Sequence, residues 1–318
     1  MTDDIRRYLL RLRYAIPQHA HEAMSIYVAR ALNDGVSAVP GDIPNMIGLN
    51  ELMRDGIARL EPALTDSQII EAHNALAPFR VYDGWKRTPG DWPADGVPAP
   101  VHVAHYPPNA MTVLRPLLRY ANHPELIASI ARYFGCLPTI GYFSLWWSLA
   151  GRGDPQDAEL FHVDKHDYKW LKLFVYLTDV GMDAGPHVVV RGTHRPEVRE
   201  EAAKIAAHRG QTNRFHAMLS AQRKSDADVE EFYGTAPIEY VTGLAGDAFI
   251  VNTAALHKGL APDKRNRLAF QALYVMMPDA KIAPTMIDMP GLFERCVMND
   301  ARLSMDQLRY INRLVVRS

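Results

Sequence analysis

The hydrophobic pattern of the chain changes texture near residue 135. Before that point apolar positions recur at helical spacing. Met111, Leu114, Leu117 and Leu118 share one face, and Leu126, Ile127, Ile130, Tyr133 and Phe134 share another behind Asn122, a candidate helix cap. Thr65-Asp66-Ser67-Gln68, ahead of Ile69-Ile70, has the form of a capping box, in which side chains satisfy the free N–H groups of a helix start. The proline-rich stretch 83–108 reads as an extended surface loop. Beyond Gly135 the period shortens to two. Over 142–149, Tyr142, Ser144, Trp146 and Ser148 face one side and Phe143, Leu145, Trp147 and Leu149 the other. Over 171–177, Lys172, Phe174 and Tyr176 oppose Leu171, Leu173, Val175 and Leu177. Further short strands are expected at 187–190, 238–241, 248–251 and 268–276, each bounded by turn residues, which points to an antiparallel sandwich or barrel.

Two helical passages accompany this β core. The charged stretch 195–231 reads as an inserted, solvated helix pair, with an active-site lid as the second reading of its position. Ser304-Met305-Asp306-Gln307 opens a C-terminal helix expected to run through Val316. The organisation expected is one domain over 1–318: a mostly helical part (1–135), a β core (136–278) holding the insertion, and a helical tail (279–318).

Composition narrows the function classes. Of 318 residues, 48% are hydrophobic and 22% charged, which is ordinary globular usage. Thirty-five basic and 36 acidic residues leave a net charge of −1, so no field of one sign is available for nucleic acid. Two cysteines, Cys136 and Cys296, cannot build a disulfide framework and read as buried thiols of a reduced, cytoplasmic compartment. Residues 1–7 lack the basic start and apolar run of a signal peptide, and no apolar run is long enough for a membrane span. A small-molecule partner remains; oligomeric state is not legible.

The chemistry concentrates in Phe161-His162-Val163-Asp164, at the end of a candidate strand over 159–161. On extended backbone an imidazole and a carboxylate two residues apart point the same way and can reach one ion. Gly246-Asp247 then turns into the strand over 248–251, followed by His257 and by Arg267 at the head of the last core strand. Two His and one carboxylate make the facial triad of non-haem Fe(II) oxygenases, with three coordination positions open. An Arg beyond the second His offers a bidentate fork to a carboxylate, as a dicarboxylate co-substrate needs. Zinc is the competing ion.

The ordered set His162-Val-Asp164, Leu177-Thr-Asp179-Val, Gly185-Pro186, Arg191-Gly-Thr-His194, Gly246-Asp247, His257 and Arg267 resembles the phytanoyl-CoA dioxygenase family over roughly 105–278. The resemblance implies a mainly β fold with flanking helices, its core a double-stranded β-helix, or jelly roll. It implies an Fe(II)/2-oxoglutarate-dependent oxygenase that uses O2 and releases succinate and CO2. His162, Asp164 and His257 would then ligate iron, and Arg267 would hold the far carboxylate of 2-oxoglutarate. Relatives that lose the carboxylate ligand become halogenases, so Asp164 favours hydroxylation, desaturation or ring closure.

The chain departs from the family pattern at several places. Phe174 stands where a Trp is common, and Lys258-Gly259 replaces a Gly-Ser whose hydroxyl would assist Arg267. Lys172 is the expected substitute for that hydroxyl, or else a rim lysine with a packed stem. Tyr142, Trp146, His166 and Phe174 are candidate substrate-pocket residues, although an aromatic stripe is more often core. His187 and His194 read as structural. The absence of a basic patch or phosphate site leans away from a CoA ester and towards a small polar metabolite or natural-product intermediate. Two alternatives stand beside this: a Zn or Mn enzyme on the same barrel, and a non-catalytic ligand-binding member of the family.

Overall fold

The structure, a computed structural model, describes residues 3–16, 18–277, 279, 287–288 and 302–317. Helices α1 (Asp3–Ala15), α2 (Gln18–Leu32), α3 (Leu49–Asp55), α4 (Asp66–Leu76), α5 (Arg115–Ala121) and α6 (Pro124–Phe134) come from the N-terminal part. The capping box at Thr65 forms as expected: its hydroxyl accepts from Gln68 N, and Gln68 Oε1 accepts from Thr65 N at 3.0 Å. Asn122 does not cap α6. Pro124 presets the backbone of the first turn there, and His123 takes the cap position without a side-chain bond. Asn122 instead pairs with Asn312 in the interior.

The strands are β1 (Ile57–Leu60), β2 (Val81–Asp83), β3 (Asp91–Trp92), β4 (Val103–His105), β5 (Thr139–Ser148), β6 (Trp170–Tyr176), β7 (His187–Val190), β8 (Ile238–Val241), β9 (Ala248–Val251), β10 (His257–Gly259) and β11 (Arg267–Val275). Eight of them form the major sheet in the order β1-β9-β6-β11-β5-β4-β2-β3, and β10-β7-β8 form the minor one. Every pairing in both is antiparallel. Residues of both sheets, among them Phe174, Tyr176, Phe249 and Ala269 on one side and Val189 and Val241 on the other, pack into a shared core. This is the two-sheet jelly roll with flanking helices.

Strand β11 shows why the major sheet is apolar on both faces. Leu268, Phe270, Ala272 and Tyr274 join the helix-side core, while Ala269 joins the core between the sheets. All nine of its residues are buried, as expected of a strand covered on both sides. Strand β5 divides the same way. Leu145 and Leu149 lie in the helix-side core with Phe143 and Trp147 against it, and the alternate face looks between the sheets.

Several expected elements take a different form. The stretch 83–108 is not a plain loop: it supplies β3 and β4, with Asp83 at the end of β2 accepting bonds from the backbone of Trp85, Arg87 and Thr88. Prolines at the strand margins of a sheet edge are compatible with this. The strand expected over 159–161 is a 3-10 turn (Asp157–Glu159) followed by single bridges, Phe161 to Lys224 and His162 to His257. The insertion holds three helices rather than two, α7 (Pro196–His208), α8 (Thr212–Ser220) and α9 (Asp226–Tyr233), around Ala206, Phe215 and Phe232. The tail helix α10 (Met305–Asn312) starts at its Ser304 capping box but ends short of Val316, which pairs with Ile287. Cys136 is buried; Cys296 lies outside the described residues. Among the described residues no helix is long and apolar enough to cross a membrane.

One glycine fixes the approach of the minor sheet. Gly185 has φ +65°, and a Cβ there would meet the carbonyl oxygen of Leu260 and come within 2.7 Å of Pro262 N. Both atoms are backbone and cannot swing aside. Gly185→Ala is expected to lower stability by about 2–4 kcal/mol, a left-handed penalty plus a backbone displacement. Denaturant unfolding checks it; an unchanged midpoint would show that the turn yields freely.

Candidate metal centre

The site begins with backbone pairing. His162 N donates to His257 O at 2.9 Å and His257 N donates back to His162 O at 3.0 Å, so the two residues face each other across an antiparallel bridge. Their rings lie 4.2 Å apart, centroid to centroid. Asp164 follows on the same side, its N–H donating to Thr253 O at 2.9 Å. The structure thus brings His162, Asp164 and His257 together, with one ligand atom of each within 4.8 Å of the others. Among the described residues no other His, Cys, Asp or Glu cluster has this property.

Each ring is oriented from behind. His162 Nδ1 lies 2.9 Å from Leu160 O, and His257 Nδ1 lies 3.0 Å from Ala255 O. A carbonyl only accepts, so Nδ1 carries a proton in both rings and Nε2 is the nitrogen left to face a metal. Burial, with His257 nearby, pushes the His162 pKa down to about 3 and keeps the ring neutral. Asp164 is ionised for a different reason. Burial alone would raise its pKa, but the Lys172 ammonium, donating to Oδ2 at 2.7 Å, and its His neighbours hold it well below the usual carboxylate range.

Asp164, bonded to Lys172, lines one cavity, and His162, His257 and Lys172 line a neighbouring one of about 500 Å³ between the sheets. Tyr142, Ser144, Trp146 and Ser148 of β5, and Lys172, Phe174 and Tyr176 of β6, all line it, so the two faces separated by alternation are its walls. His166 does not line it. That ring stands edge-on to Trp170, its Nε2 3.6 Å from Asp164 Oδ2. Lys172 is committed to Asp164 rather than standing in for the missing hydroxyl beside Arg267. No residue of 195–231 lines the cavity either. The insertion is pinned outside the minor sheet by the Lys258–Asp226 pair at 2.6 Å and by Arg199 donating to the carbonyls of Thr193 and Ala254. Its first residues, Arg195, Pro196 and Glu197, instead line the neighbouring cavity that also includes Asp164.

Arg267 is buried on the same wall. Its Nη2 donates to Ser148 Oγ at 2.9 Å, and its Nη1 is buried without a partner. A Cβ on Gly259 would lie 3.1 Å from Nη2, so the glycine that replaces the family's serine leaves the guanidinium room. Ser148 supplies a hydroxyl from the opposite direction. It is the register partner of Arg267 on β5, a pairing that no local pattern announces.

His187, read from sequence as structural, also lines the cavity. Its ring stacks on His257 (5.6 Å, 26°) and packs against Phe174 (4.8 Å), and its buried Nε2 has no partner. The register places it opposite Gly259 on the minor sheet. The one readable signal was its inward phase directly after Gly185-Pro186. His194 lies with Nε2 3.1 Å from Met53 O.

A sequence model of the family described as phytanoyl-CoA dioxygenase (PhyH) matches residues 52–265. No curated protein matches the chain. Among solved structures, the chain is similar to HygX from Streptomyces hygroscopicus with nickel and 2-oxoglutarate bound, at 16% identity and TM-score 0.44, covering 80% of this chain and 92% of that one. It is similar to EvdO2 from Micromonospora carbonacea var. aurantiaca complexed with 2-oxoglutarate, at 15% identity and TM-score 0.45, covering 74% and 92%. It is also similar to the epimerase SnoN in complex with Fe3+, alpha ketoglutarate and nogalamycin RO, at 20% identity and TM-score 0.42, covering 81% and 95%. Likenesses this distant carry no argument about chemistry.

Several imidazoles held neutral by their surroundings make the protein acid-sensitive. Burial lowers His162 to about 3, His105 and His194 to about 4, and His187 well below 6.5, so the fold holds all four neutral. The unfolded chain would protonate them near 6.5 and the folded chain would not. Their contribution is therefore fully present above 6.5 and is lost as pH falls towards 4. Asp167, pushed up to about 6 by burial, acts in the opposite sense but alone. The unfolding temperature of metal-free protein should drop steadily from pH 6.5 to 4; a flat profile would contradict neutral buried rings.

Proposed function

The chain belongs to the phytanoyl-CoA dioxygenase family, and on that premise we propose that it is an Fe(II)- and 2-oxoglutarate-dependent dioxygenase acting on a small molecule, with succinate and CO2 as co-products. The observation that carries the reading is a metal-ligand triad beside a cavity that holds unpaired buried polar atoms. Two imidazoles and a carboxylate converge at its edge, a donor set suited to Fe(II) with open positions. Beside them stand two buried hydrogen-bonding atoms with nothing to bond, Arg267 Nη1 and His187 Nε2. Unpaired buried polar atoms are costly, and a bound dicarboxylate would satisfy both.

When bound, Fe(II) would activate O2 and 2-oxoglutarate would give two electrons as it loses CO2, so that O2, the oxidant, could attack a substrate C–H bond. The chain's residues do the rest. His162, Asp164 and His257 hold the ion. Lys172 keeps Asp164 charged and aimed, and so serves the site through that carboxylate. Arg267, with Ser148 bonded to its Nη2, receives the far carboxylate of the co-substrate. His187 fills the space between that anchor and the metal ligands and offers Nε2 to the same molecule. Phe174, stacked on Phe249 at 5.1 Å, closes the floor and excludes water. Hydroxylation is the reaction we assign, with desaturation or ring closure as variants that begin at the same C–H bond. Glu159, the sole carboxylate among the described lining residues, is bonded through Oε2 to His102 and to Gln156 N and keeps only Oε1 free.

Succinate formed from 2-oxoglutarate should depend on added Fe(II). His162→Ala and Asp164→Ala should each abolish it while circular dichroism stays native; turnover preserved in both would refute the ligand assignment. His187→Phe keeps the ring stack and removes the nitrogen. Calorimetry on Ni(II)-loaded protein should show 2-oxoglutarate binding weakened about tenfold or more, the worth of a hydrogen bond to a charged group, with nickel affinity unchanged. Unaltered 2-oxoglutarate affinity would return His187 to a packing role.

A further inference from the structure

One wall of the cavity carries aromatic rings set in register. Tyr82 pairs with His105, His105 with Trp146, Trp146 with Ala269 and Ala269 with Tyr176, so one row crosses β2, β4, β5, β11 and β6 on the cavity face. The Tyr82 and His105 rings lie 6.1 Å apart, and His105 and Trp146 are stacked at 5.7 Å with planes 16° apart. Ser144 Oγ, 3.2 Å from His105 Nδ1, fixes that ring, and Gly84 leaves it space, since a Cβ there would strike it. Tyr82, His105 and Trp146 are only half-buried. All three line the cavity. Trp85, on the loop after β2, lines the same part of the cavity.

The charges of the cavity sort by position. Lys172 is neutralised by Asp164, and Arg267 is taken by the co-substrate carboxylate in the reading above. Lys86 and Glu159 remain, one of each sign, so the substrate region has no net charge to offer. Glu159 Oε1 is buried without a partner and can accept one hydrogen bond. Aromatic walls with few polar groups take flat apolar ligands by offset stacking, and a single carboxylate cannot compensate a polyamine.

We infer that the Tyr82–His105–Trp146 row is the substrate subsite and that it takes a planar, uncharged aromatic ring system bearing a hydrogen-bond donor, not a polycation or a small aliphatic metabolite. The inference rests on the part of the cavity beside His162 and His257 being the metal and 2-oxoglutarate site. Trp146 then selects the substrate: its ring meets Phe174 edge-on at 6.3 Å, and Phe174 in turn packs against His187 beside the ligand His257.

The test uses full-length protein loaded with Ni(II) and 2-oxoglutarate, with 2-naphthol and spermidine as probes and ligand-observed NMR as readout. 2-Naphthol should bind at least tenfold more tightly than spermidine. Trp146→Leu should weaken it about fivefold or more, the scale of an aromatic stacking contact, and Trp146→Phe should restore most of the loss. Comparable or tighter spermidine binding, no detectable 2-naphthol binding, or equal binding in Trp146→Leu would each overturn the subsite. Titration of Ni(II) and 2-oxoglutarate without either probe separates the two claims. Failure there removes the oxygenase reading, whereas failure with the probes alone removes only the aromatic subsite.

Discussion

The centre depends on one short piece of backbone pairing, the reciprocal hydrogen bonds between His162 and His257. Those two bonds set the distance and relative tilt of imidazoles that are far apart along the chain. The adjoining bond from Asp164 to Thr253 brings the carboxylate onto the same side. A slip of one residue in an antiparallel pair turns every side chain to the opposite face, so a shift of β10 by a single position would send His257 out of the site. The register is pinned by β7, whose Val188 and Val190 pack with Phe161 and Leu256 against α9. The inserted helices thus brace the ligand strand from outside. That position is physically consistent with their Lys258–Asp226 and Arg199 attachments and with their absence from the cavity wall.

Electrostatics constrain the site as tightly as geometry does. Three cationic or protonatable groups, Lys172, Arg267 and His187, crowd a space that also takes a metal ion. Lys172 is acceptable there because Asp164 is its counter-ion, and breaking such a buried pair costs roughly 3–5 kcal/mol. Arg267 has Ser148 for one nitrogen and nothing for another, and His187 stays neutral because burial and the charges of its neighbours disfavour a proton. The unpaired donor density at that end favours an anion. A dicarboxylate co-substrate and a divalent metal complete the balance between them.

The sequence made legible what is periodic or adjacent. Alternation over 142–149 and 171–177 separated the cavity faces of β5 and β6 from their core faces, because one face of each strand carries polar residues that a core would reject. The His162-x-Asp164 spacing and the capping boxes at Thr65 and Ser304 are local signals and appear as local structure. What escaped was set by long-range pairing. Ser148 meets Arg267 only through the β5–β11 register, His105 meets Trp146 only through β4–β5, and His187 faces Gly259 only through β7–β10. The edge strands β2–β4 were hidden by prolines and by their brevity, two or three residues each. Asn122 could cap a helix in isolation, but Pro124 and the partner Asn312 decide otherwise.

The central claim is that three side chains converge on one iron within reach of a buried arginine. Anomalous diffraction at the iron edge, from crystals grown anaerobically with Fe(II) and 2-oxoglutarate, tests it most directly. A single strong peak at bonding distance from His162 Nε2, His257 Nε2 and an Asp164 oxygen, with density bridging from the metal to Arg267, is the expected result. A peak elsewhere, or a metal held by only one of the two imidazoles, would contradict it.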